Sequence, residues 1–233
     1  MKKYKILILG GLGLIFFGLI FSGCEKTNYL IDGGVHNPKV EMTTYDYLKT
    51  NPVFDTLVML IDKAGLKETI NGDVTFFAPT DFCVKNYVKA KRGDRLGIDP
   101  FSNWTFDSIP KQTLIDSLKM YIIKGKINRT DMTKDGKIYT TLLGEKNKFH
   151  VALIPVEDQY AKLVKTWPEY VFYTKIVGAG LDDPNSKIAP LPAELDIRYV
   201  CQTSGIETNT GVLHVLKNTH TMFYFTQTHF IKL

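Results

Sequence analysis

Two hydrophobic periods are kept apart along this chain, and that segregation restricts the folds open to it. Asn51 and Pro52 make a helix start. Val53, Phe54, Leu57, Val58, Ile61 and Ala64 then fall on one helical face, and Gly65 is placed to end it. Asn71-Gly72-Asp73 is a turn, and 74–77 is a short β run stopped by Ala78-Pro79. Thr80 can cap a following helix that runs to Tyr87 or Val88. The stretch 91–109 reads as a polar loop with Phe101, Trp104 and Phe106 embedded in it, and Pro110 opens a helix with Leu114, Leu118 and Tyr121 on one side. From there the pattern turns extended, over 138–143, 148–154, 170–177, 195–202, 212–216 and 222–226, interrupted by loops at 155–169 and 178–192. Helices first and strands later predict an α+β domain and argue against a βαβ array.

The first residues stand outside this pattern. Lys2, Lys3 and Lys5 lead into an uncharged apolar run, 6–21, closed by Ser22, Gly23 and Cys24. A basic start, a short apolar core and small residues at its end make a secretory signal. With Cys at the boundary it resembles the signal of a bacterial lipoprotein, in which the Cys is lipidated and becomes the first mature residue. Phe21 stands where such signals usually carry Leu. The alternative is a permanent membrane span, since 6–23 is near the minimum length for one. Gly10, Gly11, Gly13 and Gly18 weaken that helix, and no charged stop cluster follows. The expected organisation is a signal peptide over 1–23, Cys24 and a tether over 24–41, and one folded domain over 42–233. Residues 25–41 show no period and contain Gly33-Gly34 and Asn37-Pro38, as a linker does. Extended, they reach on the order of 55 Å.

Removing 1–23 takes away three of the 29 basic residues and none of the 24 acidic ones, so the net charge falls from +5 to +2. The densest basic run, 85–95, is broken by Asp94 and apolar residues and reads as a solvated helix face and loop. No nucleic-acid partner is expected. Of the three cysteines, Cys24 goes to the anchor. Cys83 and Cys201 could pair in an oxidising compartment, but two buried thiols are the favoured expectation.

Several short motifs resemble the fasciclin domain. Val74-Thr75-Phe76-Phe77-Ala78-Pro79-Thr80-Asp81 is similar to that family's first motif, a strand ending in Phe-Ala-Pro-Thr-Asp before a helix. Asn209-Thr210-Gly211-Val212-Leu213-His214-Val215-Leu216 is similar to its second, with Thr210 inserted between Asn and Gly. Thr141-Leu142-Leu143-Gly144 resembles its Thr-x-x-Gly hairpin. The resemblance covers about 43–227 and implies a β-sandwich or wedge with several helices packed at one side. Where the family often has Tyr-His after the central helix, Tyr121 is followed by Ile122. Phe77, Ala78, Pro79, Thr80, Asp81, Gly211 and His214 are the family-motif positions, with structural roles. Pro79 ends the strand because it cannot donate to a ladder. Thr80 and Asp81 offer acceptors to helix N–H groups. His214, in an alternating apolar strand, is expected to be a core histidine bonded to backbone.

No catalytic motif is present: no Gly-x-Ser-x-Gly, His-Glu-x-x-His, Cys-x-x-Cys or phosphate loop. His214 and His220 would lie about 20 Å apart on an extended strand, too far to share a metal unless a turn intervenes. No catalytic residue, metal or cofactor is assigned. The remaining candidates are loop aromatics, Trp104, Tyr160 and Trp167, which could stack on sugar rings or pack against a protein partner. The resemblance implies a non-enzymatic, lipid-anchored binding or adhesion module of the type exported by Bacteroidetes, contacting the membrane through its anchor and a protein or glycan ligand. The alternative is an accessory subunit of a SusC/SusD-type nutrient importer that binds glycan or peptide. The expected address is the outer membrane, with the cell surface favoured.

Overall fold

The computed structural model describes residues 37–99, 101, 103–156, 167–183, 191 and 193–225. Cys24 and Tyr160 lie outside the described residues. From Pro38 on, the chain is one contact unit.

Strand β1 (Lys39–Val40) opens the fold. It pairs in parallel with Glu207 and Thr208, and the Pro38 carbonyl accepts from the Glu207 N–H at 2.8 Å. Part of the stretch assigned to the tether therefore joins the sheet. Helix α1 (Thr44–Thr50) is capped by Thr43, whose side chain accepts from the Asp46 N–H. Asn51 caps the next element as expected, accepting from the Val53 N–H at 3.2 Å, and a 3₁₀ turn over Pro52–Phe54 leads into α2 (Asp55–Ala64). Leu57, Leu60, Ile61 and Ala64 are its buried face. Gly65 ends α2 at φ 72°, a left-handed conformation that costs glycine nothing. Its N–H reaches the Asp62 carbonyl while the Leu66 N–H reaches that of Ile61.

After α3 (Lys67–Ile70) comes β2 (Val74–Ala78), buried at every position. Helix α4 (Asp81–Leu96) runs two turns further than its hydrophobic period predicts. Its last five residues, Arg92 to Leu96, are exposed, mostly polar and include Gly93, so nothing in their sequence pattern marks them as helix. Helix α5 (Lys111–Lys119) buries Leu114 and Leu118, as predicted, and Tyr121 behind it is fully buried. The remaining strands are β3 (Ile122–Lys124), β4 (Lys137–Thr140), β5 (Lys148–Pro155), β6 (Glu169–Lys175), β7 (Ile197–Thr208) and β8 (Val212–Leu216).

These strands form one eight-stranded sheet in the order β3-β2-β8-β7-β6-β5-β4, with β1 beside β7. The two motif strands, β2 and β8, pair in parallel, with Phe77 opposite His214. Every other pairing on the main path is antiparallel. The long β7 serves β6 with its first half and β8 with its second, and register shifts between Cys201 and Ile206 bend it between the two. A bridge between Ile123 and Thr141, with the Leu142 N–H donating to the Ile122 carbonyl, draws the two ends of the sheet together. The α+β wedge is thus a sheet rolled almost onto itself.

The described part of the 222–226 segment, 222–225, departs from its predicted strand. Its alternating Met-Phe-Tyr-Phe pattern is occupied by turns: Phe223 has φ 66°, and the Tyr224 N–H bonds back to the Thr221 carbonyl. The apolar side chains enter the core by curvature of the chain, and Met222, Tyr224 and Phe225 are all buried.

Candidate binding surface

The motif residues build the seam between β2 and β8. Gly211 sits where β2 comes close: a Cβ there would lie 2.5 Å from the Val74 carbonyl oxygen, so no larger residue fits. The inserted Thr210 has a structural place. Its hydroxyl lies 3.2 Å from that of Thr44 and accepts from the Thr44 N–H at 3.1 Å, tying α1 to the β7–β8 turn. Thr208 continues this set, accepting from the Gly211 N–H and donating to the Gly211 carbonyl.

Phe77 stacks between Tyr173 and His214, with centroids at 4.0 and 5.0 Å, and Tyr173 in turn stacks on Phe149 at 4.2 Å. The column crosses from the motif strands to β5 and β6, which couples the two ends of the sheet. His214 Nε2 is 3.0 Å from the Ile127 carbonyl, and Nδ1 accepts from the Gly205 N–H at 3.1 Å. Those partners fix the neutral tautomer with the proton on Nε2. Burial holds its pKa down at about 4. His214 is therefore a neutral structural bridge.

Thr80 and Asp81 act differently from expectation. Thr80 donates to Asn218 at 2.8 Å and makes no cap for its own helix. The Asp81 carboxylate accepts from the N–H groups of Thr56, at 3.0 Å, and Leu57. It caps α2, not α4, because the two helix starts lie side by side. Pro79 follows the last strand residue, Ala78, as predicted.

His220 fills a second aromatic pocket with Tyr199, Tyr121 and Phe225. The Tyr121 hydroxyl accepts from the Phe223 N–H at 2.7 Å and donates its one proton toward His220 Nε2 at 2.8 Å. Nδ1 then has no partner among the described residues. Burial lowers this histidine further, to about 3. Cys83 and Cys201 are both free and buried, and burial pushes both thiols up. Protonated buried thiols are poor nucleophiles. Among the described residues no group of three His, Cys, Asp or Glu could hold a metal, and no helix is long and apolar enough to cross a membrane.

The two tryptophans separate. Trp104 is 8 % exposed and packs with Tyr87 and Phe106 at 5.7 and 5.9 Å, while its carbonyl accepts from Arg92. It closes its own loop onto α4, so the ring offers no exposed platform, contrary to the expectation for a loop aromatic. Trp167 is 47 % exposed and precedes β6, where Tyr170 is 36 % exposed. Tyr170 pairs with Ile154 and Phe172 with Ala152, which sets all four on the outward face of the sheet. Val171 and Tyr173 alternate inward and are fully buried. The Arg198 guanidinium lies 5.5 Å over the Phe172 ring. Tyr170, Phe172 and Arg198 are not among the loop aromatics that the sequence singles out. Their signal is present, though, because β6 is apolar on both alternating faces where a half-exposed strand is polar on one.

Among the described residues, the buried histidines and cysteines of the α+β wedge are held by internal contacts or buried in its core, and Trp167 and Tyr170 are exposed beside β6. Residues 52–167, just under half of the chain, match the family model of the fasciclin domain, and the α+β fold is of the fasciclin type. That match takes in the first motif and ends before the second. The fold is similar to the FAS1 domain pair from the insect cell adhesion molecule fasciclin I, at 11 % identity and a TM-score of 0.43, over 74 % of this chain and 46 % of that one. The chain thus spans under half the length of that domain pair. No curated protein matches the sequence.

Proposed function

We propose that this chain is an exported, lipid-anchored, non-enzymatic binding or adhesion module of the Bacteroidetes type. Cys24 carries the lipid, and the outward face of β6 around Trp167 and Tyr170 contacts a protein or glycan ligand. The observation behind the ligand site is the paired exposure of Trp167 and Tyr170 beside a rigid strand, in a domain that buries most of its aromatic residues. Amphipathic rings held by a sheet lose little conformational entropy on binding and supply large contact area. The outer membrane, cell-surface side, is the proposed address.

Two measurements test this reading. Mass spectrometry of Cys24 with protease shaving of intact cells reports on the anchor and the exposed side. Glycan and peptide arrays probed with the natural chain, Trp167→Ala and Tyr170→Ala report on the surface. Binding that survives both substitutions unchanged removes the site. Co-extraction of a large β-barrel transporter would reassign the chain as an accessory importer subunit.

A further inference from the structure

The outer face of α4 combines positive charge with apolar residues at both ends. Phe82, Lys85, Lys89, Arg92 and Leu96 recur at intervals of three and four, so they share one helix face, and all five are exposed. The opposite face, with Cys83, Val84, Tyr87 and Ala90, is buried. Apolar exposure continues past the helix at Ile98 (80 %) and Phe101 (90 %). Phe82 and Leu96 are fourteen residues apart, or about 21 Å along the axis, with Lys85, Lys89 and Arg92 between them.

The charges from Asp81 to Phe101 are Lys85, Lys89, Lys91, Arg92 and Arg95 against Asp81, Asp94 and Asp99, and the Asp81 carboxylate is taken up by the Thr56 and Leu57 N–H groups. Asp94 accepts from the Tyr224 hydroxyl at 3.0 Å and Asp99 from the Phe101 N–H at 3.0 Å. Lys91 lies over the Tyr224 ring, Lys85 lies over Phe82, and Arg92 donates to the Trp104 carbonyl. The positive sign of the face therefore survives its internal contacts.

An acidic polymer would match the charge but leave four large apolar side chains in water. An anionic bilayer matches both features. Aromatic and aliphatic tips enter the boundary between headgroups and acyl chains, while Lys and Arg stay level with the phosphates. We propose that α4 docks along an anionic bilayer surface as a second membrane contact, with Phe82 at one end and Leu96, Ile98 and Phe101 at the other. This rests on the anchored reading above. Since β1 takes up 39–40, the chain between Cys24 and Pro38 reaches about 45–50 Å when extended. A linker of that length keeps the helix at a high effective concentration near the membrane, so a weak surface interaction suffices.

The test uses the full anchored protein, extracted from membranes, with Ile98→Cys carrying an environment-sensitive nitrobenzoxadiazole label. Cys83 and Cys201 are buried and do not compete for the label. The protein is reconstituted into phosphatidylcholine vesicles with and without phosphatidylglycerol. The expected result is a blue-shifted emission, quenched by nitroxide-bearing lipid chains, on the anionic vesicles only. Lys85→Gln and Lys89→Gln should each lower the docked-to-free ratio about five-fold, and raised salt should do the same. A label that stays in water on both vesicle types overturns the inference. So does equal docking on neutral vesicles, or burial of the label by a co-purifying protein. Flotation and the mass of Cys24 report separately on the anchor. If Cys24 carries no lipid, titrating labelled protein that also carries Cys24→Ser with anionic vesicles still decides the matter for α4.

Discussion

The seam between β2 and β8 and the outward face of β5, β6 and β7 belong to one sheet but treat similar residues in opposite ways. At the seam, Thr75 is buried, its hydroxyl donating to the Gly125 carbonyl at 2.7 Å and accepting from the Ile127 N–H at 2.8 Å. On the outward face of β6, Thr174 is equally buried and its hydroxyl has no partner among the described residues. At the seam, Phe77 is enclosed in a stacked column, whereas Tyr170, three residues after the exposed Trp167, is itself open to water. A buried polar group left unpaired costs roughly 1–3 kcal/mol, so the seam is where side-chain satisfaction specifies the fold.

The largest separation between the regions should come from large-to-small substitutions. Phe77→Ala removes the middle of the column and should cost about 4 kcal/mol, and Trp104→Ala should cost about 3. Tyr170→Ala, with about a third of the side chain in water already, should cost about 1 or less. Urea unfolding of the three variants measures this. A Tyr170→Ala loss as large as that of Phe77→Ala would abolish the contrast.

Acid should next strike the seam, through His214, and the second aromatic pocket, through His220. His214 and His220 are held neutral, with folded pKa values of about 4 and about 3 against an unfolded value near 6.5. Both folded values are depressed, so below pH 6.5 the unfolded chain binds protons that the folded chain refuses. The stability present above pH 6.5 is lost as pH falls toward 4 for His214 and toward 3 for His220. Each histidine contributes a slope of about 1.4 kcal/mol per pH unit, or about 3 kcal/mol for His214 across its window. His220→Phe should remove about half of the histidine contribution to the slope between pH 6.5 and 4. An unchanged slope would mean that His220 is protonated in the folded state.

A smaller effect should follow from Asp81→Ala. It strips the acceptor from the Thr56 and Leu57 N–H groups and should cost about 1–2 kcal/mol. Because the carboxylate serves α2, amide exchange should rise first at Thr56 and Leu57. A rise confined to the start of α4 would show that Asp81 caps its own helix instead.

Much of this fold was legible because local chemistry and tertiary role coincide. The Asn51-Pro52 start, the α2 stripe ending at Gly65 and the 212–216 strand follow from residue type and spacing alone. The failures have physical causes. Lys39–Val40 carries no strand pattern and is held by pairing with Glu207 and Thr208, residues far away in sequence. The end of α4 lacks an apolar period because its described contacts are polar ones, from Arg92 to the Trp104 carbonyl and from the Tyr224 hydroxyl to Asp94. The 222–226 run alternates like a strand, yet its Phe223 N–H is claimed by the Tyr121 hydroxyl, which bends it. Trp104 and Trp167 both sit in polar surroundings in the sequence. Only the packing of Tyr87 and Phe106 around Trp104 tells them apart.

The smallest stability effect should carry the largest functional one. Trp167 contributes little to the interior, so Trp167→Ala should change stability by less than about 0.5 kcal/mol, the range of surface substitutions away from special features. An exposed aromatic anchor at a binding surface contributes about 2 kcal/mol or more to affinity when truncated, which is roughly a thirty-fold loss. Trp104→Ala should show the reverse pattern: an unfolding transition shifted strongly, with the affinity of the remaining folded fraction unchanged. Calorimetric titration with a ligand taken from the arrays, run beside urea unfolding on both variants, separates the two tryptophans. If Trp167→Ala lowers stability and spares affinity, the ring seals the β5–β6 connection just as Trp104 seals the loop after α4. Recognition would then have to move off this face of the sheet.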